Sequence, residues 1–181
     1  MDVIRLIASD LDATLLDGLD EATQEYVEEG KDQETAQQQA MTDAVYKQWR
    51  NKAINDTYEP GSTFKTLVLA SALEEGVVNT SDTFTCTGSI QVADRTINCS
   101  NRDGHGFQDL AKAVGNSCNP AFITMGQRLG QDTFYQYLEA FGIVNADGSA
   151  ASTGIDLPGE STSIVWPFEN FGITELATAS F

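Results

Sequence analysis

Ser62 and Lys65 stand three residues apart in the octapeptide Tyr-Glu-Pro-Gly-Ser-Thr-Phe-Lys at 58–65. On a helix, positions i and i+3 share a face with Cβ atoms about 5–6 Å apart, which puts a hydroxyl and an amine within hydrogen-bonding reach. A serine hydroxyl is a weak nucleophile until a neighbour takes its proton, and a lysine can do so only if its own pKa is lowered. Burial or nearby positive charge lowers it. Phe64, Leu67, Val68 and Leu73 mark the segment after Ser62 as a buried helix, whose N-terminus carries partial positive charge. Pro60 and Gly61 stop any helix arriving from upstream. Ser62 therefore falls in a first turn, where backbone N–H groups lack intrahelical partners and can face a developing oxyanion.

A Ser-x-x-Lys spacing alone occurs on the order of once by chance in a chain of this length, so a second motif has to support it. Residues 116–120 read Asn-Ser-Cys-Asn-Pro, a polar turn between an apolar-periodic helix (Phe107, Leu110, Ala111, Val114) and a helix beginning at Pro120, the residue favoured at a first helical position. Taken alone this turn reads as a helix cap, since Ser and Asn are common capping residues.

The positioning elements are predicted as helices over 20–48, 63–75, 107–115, 120–129 and 132–141, with Gly130 and Gly142 closing the last two. Segments 83–98 and 162–168 carry the β-branched and aromatic residues of strands. At 181 residues the chain has room for one domain with a real core. Residues 1–48 form an acidic, Gln-rich segment distinct in composition from 49–181.

Ser-x-x-Lys followed by Ser-x-Asn opens the motif set of penicillin-binding proteins and serine β-lactamases. Within that superfamily the chain most resembles the transpeptidase domain of class B penicillin-binding proteins. The matching stretches are Trp-Arg-Asn-Lys-Ala at 49–53, the octapeptide at 58–65, Gly-His-Gly at 104–106, Asn-Ser-Cys-Asn-Pro-Ala-Phe at 116–122, Thr-Gly-Ile-Asp-Leu-Pro-Gly-Glu at 153–160 and Leu-Ala-Thr-Ala-Ser-Phe at 176–181. Their shared order along the chain excludes chance.

The resemblance implies an α/β (α+β) fold with helices packed on an antiparallel sheet, and 49–181 as part of a transpeptidase domain. It implies a peptidoglycan D,D-transpeptidase that attacks the D-Ala-D-Ala end of a stem peptide, expels the last D-alanine and passes the acyl group to an amine. Ser62 would be the nucleophile, Lys65 its general base, Ser117 a proton relay and Asn119 a hydrogen-bonding partner of the substrate backbone. No cofactor is implied. The implied partners are peptidoglycan stem peptides, β-lactam antibiotics and other cell-wall synthesis proteins, at the extracytoplasmic face of a bacterial membrane. The family's third motif, Lys-Thr-Gly or Lys-Ser-Gly, has no counterpart here, because none of the lysines at 31, 47, 52, 65 and 112 begins such a triplet. The resemblance thus implies a sheet incomplete at its C-terminal side, which leaves open a fragment that binds penicillin without turnover. A β-lactamase would need a deacylating carboxylate; Glu160 is the nearest candidate, and its Pro-Gly-Glu context reads as a turn.

Residues 3–17 are also similar to the first motif of haloacid-dehalogenase-type phosphatases, which implies Asp10 as a phosphoryl-accepting nucleophile and Asp12 as an acid, with Mg²⁺ between carboxylates. Ala13 stands where that family has glycine, and its downstream lysine and acidic motif have no visible counterpart. The favoured reading is a strand at 3–8 of the transpeptidase sheet followed by a polar connection.

A formal charge of −17 repels nucleic acid and anionic lipid surfaces. No run of 18 apolar residues and no signal-peptide pattern occurs, so the chain reads as a soluble fragment, and the family resemblance implies a parent tethered by an N-terminal membrane helix. Cys86 and Cys99 flank a candidate hairpin, Thr87 to Asn98, and the choice between a disulfide and two thiols stays open. Cys118 is expected to point away from the site and to pack. His105 is the only histidine, in a Gly-His-Gly loop suited to a structural hydrogen bond and not to a catalytic triad. One histidine and three dispersed cysteines show no zinc-binding spacing, and no metal site is expected.

Overall fold

A computed structural model describes residues 19–181. The strand expected at 3–8 and the carboxylates Asp10 and Asp12 lie outside the described residues. The chain divides into two compact units, Met1–Asp56 and Thr57–Phe181.

The first unit contains α1 (Leu19–Glu28), α2 (Gln33–Trp49) and the short α3 (Lys52–Asn55). The single helix expected over 20–48 is instead two. Gly30 takes φ 96°, a left-handed conformation that ends a helix at little cost only for glycine. Asp32 then starts α2 by accepting the backbone N–H of Thr35 at 3.0 Å, supplying an acceptor to one of the orphan donors of the first turn. Among the described residues of this unit Thr23, Ala36 and Ala40 are buried, small side chains that let the two helices approach closely.

In the second unit a 3₁₀ turn at Gly61–Thr63 leads into α4 (Lys65–Glu74). Strands β1 (Thr83–Cys86), β2 (Ser89–Val92), β3 (Arg95–Asn98) and β4 (Gly106–Asp109) come next, and then α5 (Leu110–Gly115), α6 (Asn119–Leu129) and α7 (Gln131–Ala140). A 3₁₀ turn at Phe168–Asn170 precedes α8 (Ile173–Ala179). The strands form two antiparallel pairs: β1 with β4, Cys86 opposite Gly106, and β2 with β3 in a hairpin, Ser89 opposite Asn98. Helix α6 is the centre of the core, packed against α4, α7, α8 and the strands. Phe122, Ile123 and Met125 are all buried on it, as expected for a helix covered on several sides.

Three sequence expectations change. The helix expected over 107–115 begins only at Leu110, where Asp109 accepts the Lys112 N–H at 2.8 Å as an N-cap. Before that cap the chain is strand: Phe107 is 74% exposed and Gln108 2% exposed, a two-residue alternation. The buried residues of α5 are Leu110 and Ala113, with Ala111 and Val114 exposed, and Leu73 on α4 is likewise exposed. Segment 162–167 has no ladder partner among the described residues and is not a strand. Its conformation is held from α7, where the Tyr135 hydroxyl donates to the Trp166 carbonyl at 3.0 Å and its ring meets Phe168 edge-on at 5.1 Å.

Candidate active site

Pro60 and Gly61, the latter at φ 55°, turn the chain into the 3₁₀ segment that holds Ser62 one turn ahead of α4. Ser62 is exposed, whereas Lys65, the first residue of α4, is only 3% exposed. Its aliphatic stem descends toward the core and its amine meets the second motif. The Lys65 Nζ lies 3.2 Å from Ser62 Oγ, 2.9 Å from Ser117 Oγ, 2.9 Å from the Ser117 carbonyl and 2.7 Å from Asn119 Oδ1. Ser117 Oγ donates to Ser62 Oγ at 3.1 Å, across 55 residues of sequence.

The second motif is placed by the junction of α5 and α6. Ser117 has φ 48°, a left-handed conformation unusual for a residue with a Cβ and of the kind that concentrates at functional sites, costing about 1–3 kcal/mol. Backbone bonds on either side hold it: the Ser117 N–H donates to Val114 O at 2.9 Å, and the Cys118 N–H to Ala113 O at 3.0 Å. Asn119 opens α6, and its Nδ2 donates to Asn98 O at the end of β3 at 3.1 Å. That bond fixes the amide orientation and turns Oδ1 toward the lysine.

Counting donors and acceptors around Nζ shows what the cluster can do. The Ser117 carbonyl and Asn119 Oδ1 can only accept, and a neutral amine has two N–H groups to give them. Its lone pair then faces two hydroxyls, either of which can donate a proton. Burial lowers the Lys65 pKa below its ordinary 10.5, while the thiols of Cys99 and Cys118 nearby pull in the opposite direction. The neutral form that a general base requires is therefore easier to reach than in a free lysine.

The remaining sequence candidates lie elsewhere. Glu160 accepts from Ser152 Oγ at 2.5 Å and from the Thr153 N–H at 2.8 Å; these bonds hold its pKa below the ordinary carboxylate value and make it the clasp of a turn. Cys118 is fully buried, as packing demands. Cys86 and Cys99 are buried and unbridged. Against the reading that the cysteines and histidine are dispersed, all three sulfurs and a ring nitrogen of His105 lie within 4.8 Å of one another. Spacings of 13, 6 and 13 residues match no zinc signature. The available signal was that the chain's entire supply of Cys and His falls between 86 and 118.

Comparison with known proteins concerns the family and the fold. The chain is 42% identical over 151 residues to stage V sporulation protein D of Bacillus subtilis (strain 168), covering 83% of this chain and 22% of that protein. Among solved structures, the D,D-transpeptidase domain of a peptidoglycan glycosyltransferase from Eggerthella lenta superposes with a TM-score of 0.63 at 29% identity, over 78% of this chain and 35% of that one. Penicillin-binding protein 3 of Mycobacterium tuberculosis, complexed with aztreonam, gives 0.62 at 28% identity, over 72% and 28%. The chain spans about a fifth of the length of the curated relatives it matches. The model of the penicillin-binding protein transpeptidase domain matches residues 18–181, and with motifs, fold and relatives in agreement the chain belongs to that family.

Proposed function

We propose that this chain carries the nucleophile half of a peptidoglycan D,D-transpeptidase site, with Ser62 as nucleophile, Lys65 as general base, Ser117 as proton relay and Asn119 as substrate-binding residue, all within 49–181. The observation that carries the reading is the hydrogen-bonded triangle of Ser62 Oγ, Lys65 Nζ and Ser117 Oγ, with sides of 3.2, 2.9 and 3.1 Å. It joins two motifs remote in sequence around one buried amine.

In the first half-reaction Lys65 takes the Ser62 proton as Oγ bonds to the penultimate carbonyl carbon of a D-Ala-D-Ala stem peptide. The carbonyl π electrons move to oxygen, where the N–H groups of the first turn face them. Collapse breaks the C–N bond, and the proton reaches the leaving D-alanine amine through Ser117, whose hydroxyl touches both Lys65 and Ser62. An acceptor amine then attacks the Ser62 ester, gives up a proton by the reverse route and restores the Ser62 hydroxyl. One Nδ2 hydrogen of Asn119 is committed to Asn98 O; the second is available to a substrate carbonyl.

The same acyl transfer to a strained lactam makes β-lactams ligands of the site, in keeping with the aztreonam complex of the mycobacterial relative. On this reading the whole protein works at the extracytoplasmic face of a bacterial membrane, beside other cell-wall synthesis proteins. Among the described residues no helix is long and apolar enough to cross a membrane. The test is labelling of the full-length protein with a fluorescent penicillin. Wild type should form a covalent adduct at Ser62, and Ser62→Ala should form none; an adduct in Ser62→Ala equal to wild type overturns the assignment.

A further inference from the structure

The residues Cys86, Cys99, His105 and Cys118 come from four places: the end of β1, the residue after β3, the residue before β4, and the N-cap of α6. They are every cysteine and the only histidine in the chain. Two close backbone approaches bring them together. A Cβ on Gly88 would sit 2.0 Å from Arg102 O, and one on Gly104 2.4 Å from Cys86 O, and both glycines have positive φ. Only residues without side chains allow the 99–105 loop to lie this tightly on the β1–β2 connection.

From this convergence we infer that Cys86, Cys99, His105 and Cys118 form a closed tetrahedral Zn²⁺ site that anchors the Ser117–Asn119 motif. Tetrahedral zinc with Zn–S near 2.3 Å and Zn–N near 2.0–2.1 Å separates its ligand atoms by about 3.8 Å (S to S) and about 3.6 Å (S to N). Here Cys99 Sγ is 3.5 Å from His105 Nδ1, and no pair among the four exceeds 4.8 Å. Closure on an ion therefore needs a shift of about 1 Å at most for the widest pair.

The cluster has polar contacts that packing alone does not call for. A buried cysteine that only fills space needs neither an imidazole against it nor N–H donors around it. Yet the His105 ring lies against the Cys99 sulfur. The Gln108 amide nitrogen is fully buried with no oxygen acceptor, and this side chain neighbours Cys118. Thiols accept such bonds weakly and metal-bound thiolates accept them well, which is how outer-shell donors tune a site. Three sulfurs and one imidazole nitrogen select Zn²⁺ over Mg²⁺, Ca²⁺ or Mn²⁺, which prefer oxygen ligands. Four protein ligands leave no open position, so the metal's role is structural. It ties three strand ends to the N-cap of α6, and Cys118 is flanked by Ser117 and Asn119, two of the residues that contact Lys65 Nζ.

The experiment is metal analysis of the full-length protein, with any affinity tag removed, after expression in zinc-supplemented medium and purification under reducing conditions. About one zinc per chain is expected. Cobalt reconstitution should give the charge-transfer absorption of cobalt–thiolate ligation. Cys99→Ser and His105→Ala should each lower the bound metal at least tenfold after equal dialysis. Should either variant fail to fold, wild type supplies the answer through chelation and reloading, with zinc returning to one equivalent and the melting temperature rising with it. Wild type with less than about a tenth of an equivalent of any transition metal, or with a disulfide among Cys86, Cys99 and Cys118 as its stable state, overturns the inference. Metal content is read without penicillin, so its outcome is independent of the transpeptidase reading.

Discussion

Ser117 carries two burdens at once, a hydroxyl in the reacting cluster and a backbone at φ 48°, and two substitutions separate them. Ser117→Ala and Ser117→Gly both delete the contacts from Oγ to Lys65 at 2.9 Å and Ser62 at 3.1 Å. Each should therefore lower the acylation rate by about 10²–10⁴, the usual contribution of a positioned proton-transfer group. The two differ in stability. A Cβ in the left-handed region costs about 1–2 kcal/mol, which glycine avoids, while glycine loses about 0.5–1 kcal/mol of extra chain entropy on folding. Ser117→Gly should then exceed Ser117→Ala by about 0.5–1 kcal/mol, a melting difference of about 1–4 °C for a unit of this size. The assays are stopped-time labelling with a fluorescent penicillin and thermal unfolding of the full-length variants. Labelling of either variant at the wild-type rate would refute the relay. A Ser117→Ala protein more stable than Ser117→Gly would refute the strain.

Because burial lowers the Lys65 pKa, its neutral form appears as pH rises through a value below 10.5. Acylation by penicillin should rise along that limb, and Lys65→Ala should abolish both rate and limb. The linked stability has the same sign: the cost of burying the ammonium is complete below the folded pKa and disappears as pH rises toward the unfolded value, as denaturant midpoints across the alkaline range would show. Gly126→Ala would place a Cβ 1.9 Å from Ser180 Oγ and 2.9 Å from Ser180 Cβ, where α6 meets α8; the expected loss is about 1–3 kcal/mol, partly recovered in Gly126→Ala/Ser180→Gly. Tyr135→Phe keeps the ring contacts with Phe168 and Phe171 and deletes the bond to Trp166 O, so it should cost about 1 kcal/mol without slowing acylation.

What the linear order determines about this protein is local. Ser62 and Lys65 meet because three residues of helical progression bring them together, and Pro60 and Gly61 mark where that progression starts. Gly130 and Gly142, at φ 78° and 71°, end α6 and α7 where the glycine signals predict. The family motifs extended this reading across 55 residues to Ser117, by resemblance and not by physics. Tertiary structure decided the rest, because the relevant partners are distant in the chain. Residues 106–109 are strand because β1 offers them a ladder, and 162–167 are not because none of the described strands does. Composition alone points the other way, since 106–109 is Gly-Phe-Gln-Asp and 162–167 holds Ile164, Val165 and Trp166, and only a hydrogen-bonding neighbour decides. The left-handed turn at Ser117 is imposed by the junction of α5 and α6. The meeting of Cys86, Cys99, His105 and Cys118 follows from two antiparallel pairings and two glycines that let one loop lie on another, and no spacing along the chain encodes a contact made by three strand ends and a helix cap.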